Sequence, residues 1–180
     1  MDAAQRAMTT WLGALARGGV IAAHASEDAT AGEAVAAYVV GEERLEELRA
    51  HFEDVDPAEA AGERRAAVEA VIAMAQSDRD LHPEETHILR SLVGKSGLDA
   101  DTQDELVMLV HEPKGIEGIE ERLTHPVLRE LILALSWELA LADGKVDDAE
   151  SEYYARLTER LGVKARRAKE IADAISERVG

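Results

Sequence analysis

Asp78-Arg79-Asp80-Leu81-His82-Pro83-Glu84-Glu85 recurs 65 positions later, without a gap, as Asp143-Gly144-Lys145-Val146-Asp147-Asp148-Ala149-Glu150. The match continues on both sides. Ile72 aligns with Trp137, Ala75 with Ala140, Leu92 with Leu157, Gly97 with Gly162 and Val110 with Ile175. Self-similarity at a fixed offset marks one supersecondary unit used twice. The apolar spacing predicts helices over 58–77, 83–95 and 101–111 in the first unit. It predicts 126–142, 148–161 and 165–178 in the second. Ile88, Leu89, Leu92 and Val93 form the stripe of one middle helix, and Tyr153, Tyr154, Leu157 and Leu161 that of the other. Gly97 and Gly162 fall where a helix end takes a left-handed residue.

Upstream, residues 2–16 read as a helix, followed by the Gly18-Gly19 break and a segment reaching Ser26. A second helical region runs from Thr30 to Val55, with Gly41 as a candidate break and Leu45, Leu48, Phe52 and Val55 as its apolar stripe. Asp56-Pro57-Ala58-Glu59 starts the next helix, with an N-cap aspartate, proline at N1 and glutamate at N3. Residues 112–125 connect the two units, with Gly115 and Gly118 marking a loop or short extra helix. The fold class is all-α: a bundle of two pseudo-repeated three-helix units plus N-terminal helices. Residues 1–57 form an N-terminal extension packing on a duplicated domain over 58–180. Trp11, Leu12 and Leu15 are its candidate core, with Val39, Val40 and Phe52 as partners.

Composition narrows the function. Aromatic residues are 3% of the chain against 46% hydrophobic, so the core is aliphatic, which suits close helix packing. The formal charge of −17 repels phosphate backbones and anionic headgroups, which argues against nucleic-acid and membrane-surface partners. It favours cations or a basic protein surface. There is no cysteine, so disulfides, thiolate metal sites and cysteine nucleophiles are excluded. The apolar stretch from Trp11 is interrupted by Arg17 too early for a signal peptide, and that from Leu131 is too short to span a bilayer. A soluble, cytoplasmic protein is expected.

Familiar motifs fail on spacing. Gly94-Lys95-Ser96 lacks the first glycine of a phosphate-binding loop, because Leu89 stands there. Glu84 and His87 have the spacing of a di-iron ligand pair, but Ala149 and Glu152 stand at the matching places. Counted from Asp78 or Asp143, position 12 of a calcium loop is Leu89 or Tyr154, so neither is an EF-hand. No serine elbow or zinc-protease spacing is present. A non-enzymatic role is expected.

The acidic turns remain. Asp78 and Glu85 flank one interhelical turn, and Asp143 and Glu150 flank the other. If the units pack with pseudo-twofold symmetry, the four carboxylates meet at one end of the bundle and need a cation or a basic group between them. Local capping accounts for Glu85 and Glu150, since acids in a first turn suit the helix dipole. It accounts less well for Asp78 and Asp143, because an acid at a helix C-terminus opposes that dipole.

The pattern Ala142-Asp143-Gly144-Lys145-Val146 with Glu150, echoed by Ser77-Asp78-Arg79-Asp80-Leu81 with Glu85, resembles the TerB-like family. This family is named for a tellurite-resistance protein and includes the N-terminal domain of the DjlA co-chaperone. The likeness covers residues 60–178 and departs from the pattern at Arg79, where glycine is usual. It implies a helical interaction or sensing module linked to stress responses. Asp78, Glu85, Asp143 and Glu150 would be its acidic site for a divalent cation (Ca2+, Mg2+ or Mn2+) or a basic protein partner. The alternative is a structural protein without a metal site, assembling into homo-oligomers through its N-terminal helices.

Overall fold

Asp56 and Pro57 begin the helix that leads into the repeated region as their types dictate. The Asp56 side chain accepts from the Ala58 amide at 2.9 Å, and proline at N1 sacrifices only a donor that no helix uses. The computed structural model describes residues 3–21, 27–76, 82–112, 117–142 and 146–179. Among these are ten α-helices and no strand. They are α1 (Ala3–Arg17), α2 (Glu27–Val40), α3 (Glu42–Asp54), α4 (Pro57–Gln76), α5 (Pro83–Gly94), α6 (Ala100–His111), α7 (Ile119–Arg122), α8 (Pro126–Leu141), α9 (Asp148–Arg160) and α10 (Ala165–Val179). The all-α expectation holds.

The helix boundaries follow the sequence offset. α4 and α8 end at Gln76 and Leu141, α5 and α9 begin at Pro83 and Asp148, and α6 and α10 begin at Ala100 and Ala165. Each pair is 65 residues apart. Gly97 and Gly162 both take positive φ, at 77° and 69°, after the middle helices. The break at Gly41, with φ of 103°, separates α2 from α3, and the short α7 occupies the connector.

α8 is the central helix. It packs against α1, α2, α3, α4, α9 and α10. A helix with this many neighbours must be largely apolar, and Leu128, Leu131, Ile132, Leu133, Ala134 and Leu135 are all buried, with Glu130, Ser136 and Glu138 as its buried polar residues. Each large aliphatic side chain removed from water this way contributes roughly 2 kcal/mol. α1 crosses α2 and also reaches α5 and α8. Trp11, at 1% exposure, joins Leu12, Leu15, Val39, Val40 and Phe52 in the same core, as their stripes predict. The N-terminal helices therefore complete the core around α8.

Two buried glutamates fix the orientation of these helices. Glu130 on α8 takes a two-pronged contact from Arg44 on α3, at 2.8 and 2.5 Å, and a third from Arg167 Nε on α10 at 2.5 Å. Arg167 Nη2 also donates to the Val39 carbonyl on α2 at 3.1 Å. One carboxylate thus ties four helices together. Burial pushes the Glu130 carboxyl up, but the two guanidinium bonds outweigh it and hold the group below the ordinary glutamate range. Glu63 on α4 plays the same part at the turn before α8. It accepts from His51 Nε2 at 2.8 Å, from the Thr124 amide at 3.1 Å and from the His125 amide at 2.9 Å. Burial raises its carboxyl, and these bonds reverse the shift.

Candidate functional site

The repeated glutamates occupy equivalent helical positions in unlike surroundings. Glu150 is the third residue of α9 and completes a capping box with Asp147. The Glu150 amide donates to Asp147 Oδ1 at 2.8 Å, and the Asp147 amide donates to Glu150 Oε2 at 2.9 Å. Its position is accounted for by helix capping. Glu85 is the third residue of α5, where the preceding residue is His82, whose side chain makes no cap hydrogen bond. Glu85 is 0% exposed. Exchanging an aspartate for a histidine at the N-cap is the local difference between the two. Asp78 and Asp143 lie outside the described residues. Among the described residues, no group of three or more histidines and acids is arranged to hold a metal ion.

The structure draws attention to the other side of α9. Between α9 and α10 runs an open groove of about 550 Å³ with Trp137 of α8 among its walls. Trp137 and Tyr154 meet edge to face at 4.8 Å. Both aromatic side chains use their polar ends internally. Trp137 Nε1 donates to Ser176 Oγ at 3.0 Å, and the Tyr154 hydroxyl donates to the Ala168 carbonyl at 2.7 Å. Burial raises the Tyr154 hydroxyl above its ordinary range, so it remains a neutral donor. With those groups satisfied, the walls are apolar, because Ala155, Ala168 and Ala172 supply only methyl groups. Small residues on two neighbouring helices leave a furrow where leucines would have closed it.

The groove's rim is polar. Glu159 and Asp173 stand at its edges, and Lys169 pairs with Asp173 at 2.7 Å. Tyr154 belongs to the apolar stripe predicted for its helix, but that stripe does not by itself imply the groove. The signal was present as the alanine run along α10 opposite Ala155. It becomes readable only when the α9–α10 pairing is known.

No protein-family model, curated protein or solved structure matches the chain. No described helix is long and apolar enough to cross a membrane.

Proposed function

We propose that this chain is a non-enzymatic, acidic helical module of TerB-like type that receives the apolar face of a basic helical segment from a partner protein. The observation that carries the reading is the α9–α10 groove. It is of ligand-pocket size, apolar along its walls and rimmed by Glu159 and by the paired Lys169 and Asp173. An amphipathic helix inserts large apolar side chains into such a groove while its charged flanks face the rim. The chain's −17 charge would steer a basic partner towards it and reject an acidic one. A role in sensing or stress response, which the family resemblance implies, belongs to the same reading. The test is a fluorescence titration with a lysine-flanked, leucine-faced helical peptide. Trp137 is the reporter, because Trp11 is sealed in the core. Saturable change that weakens with salt is expected, and Ala155→Arg, which fills the groove and adds a like charge, should abolish it. Equal binding by that variant, or no saturable response in the wild type, rejects the groove.

A divalent cation at the acidic turns is the second reading, favoured by the full burial of Glu85, which follows Asp78 in the repeated stretch of sequence. A cation that binds only the folded state raises its stability by mass action. Melting temperatures that rise with millimolar Ca2+, Mg2+ or Mn2+ and fall with chelator support it. Identical curves in both conditions leave the protein partner as the neutralising group.

A further inference from the structure

A second cavity, of about 330 Å³, lies where α8 and α10 begin, and its lining reverses the sign of the rest of the molecule. Arg129, Lys164 and Arg167 face it with Glu130 as the one carboxylate among its walls. Glu130 is already shared by Arg44 and Arg167, and Arg167 also reaches Glu170 at 3.4 Å. Arg129 is different. Its guanidinium donates to three main-chain carbonyls: Leu123, Leu161 at 2.8 Å and Glu120 at 2.5 Å. Among the described residues it forms no ion pair, and neither does Lys164. The carbonyls that hold this half-buried guanidinium supply dipoles and no counter-charge. The chain then runs along the cavity wall through Val163 and Lys164 into α10, whose first turn contains no acid. The sequence Lys164-Ala165-Arg166-Arg167 puts cations at the positive end of a helix dipole, where acids are favoured. In a chain with 37 acids against 20 bases, uncompensated positive charge facing a cavity needs a reason.

We infer that this cavity is a binding site for a phosphate oxyanion, with Arg129 and Lys164 as its charged ligands. The remaining guanidinium N–H groups of Arg129 offer fixed donors, Lys164 offers a mobile one, and the start of α10 adds potential of the same sign. The site shares Val163 with the α9–α10 groove but none of its charged residues, so either can fail without the other. The test uses inorganic phosphate and the full chain. Phosphorus NMR line-broadening should be saturable against chloride at matched ionic strength, and phosphate should raise the melting temperature. Lys164→Gln should weaken binding about tenfold by removing a charge-assisted bond. Without phosphate the same variant should melt no lower than the wild type, because the charge it removes opposes the helix dipole. Arg129→Lys, which keeps the charge but loses the fork, should also weaken binding. Lys164→Gln alone suffices if the second variant does not fold. Absence of saturable broadening, or equal phosphate response in wild type and Lys164→Gln, overturns the inference. The latter result would mean that phosphate acts only as a stabilising salt.

Discussion

Glu138 shows how one residue sets a pH response. It is 5% exposed on α8, and its Oε1 lies 2.8 Å from Thr10 Oγ1 on α1. The Thr10 hydroxyl also lies 2.7 Å from the Ala7 carbonyl and has one proton to give. That one proton is shared between the Glu138 carboxyl and the Ala7 carbonyl, so neither bond is at full strength. Burial pushes the Glu138 carboxyl up to about 7, with the Thr10 bond opposing it. Because this lies above the unfolded value, the folded state holds a proton that the unfolded chain releases. The stabilisation is present below the unfolded pKa and is lost as pH rises through about 7. At alkaline pH the penalty is about 3 kcal/mol. Glu138→Gln should therefore unfold at higher urea than wild type near pH 8 and lose the advantage near pH 5. Depressed carboxyls such as Glu63 and Glu130 act oppositely, losing their contribution on acidification. The wild-type-minus-variant difference isolates Glu138, and a pH-independent difference contradicts its assignment.

At the scale of elements, the crossing of α1 and α2 depends on a glycine. A Cβ built on Gly32 would lie 2.0 Å from the Thr10 carbonyl oxygen, main chain against main chain. No rotamer change relieves that contact, so Gly32→Ala should cost about 3 kcal/mol or more in urea unfolding, as overpacking does when the backbone must shift. A cost near zero would mean that the helices do not approach this closely. The start of α9 is a milder case. Asp147→Ala removes the cap and should cost about 1 kcal/mol, while Glu150→Gln keeps an acceptor and should cost less. If Glu150→Gln proves the more damaging, capping is not its main role. These elements differ in how readable they were. The helix boundaries, the Gly41 break and the Asp147–Glu150 box follow from local chemistry within a few residues. Gly32 carries no local signal, since it sits mid-helix and its reason is Thr10 on another helix. Glu63, Glu130 and Glu138 were equally hidden, because their partners are distant in sequence and only the packed bundle brings them together.

For the molecule as a whole, the sequence points to an acidic surface with a neutralising partner, while the folded chain redistributes that charge. α8 gathers α1, α2, α3, α4, α9 and α10 around it, and supplies Trp137 to the α9–α10 groove. The acidic pattern that dominates the sequence divides between a helix cap at Glu150 and a buried carboxylate at Glu85. A binding role therefore rests more on the groove than on the repeated acids. Backbone-amide NMR during titration with the basic amphipathic peptide addresses this most directly. Saturable shifts should concentrate on the Trp137 indole, Ser151, Ala155 and Ala172, and disappear in Ala155→Arg. Shifts spread evenly over acidic surface residues, with the groove unchanged, would contradict the account.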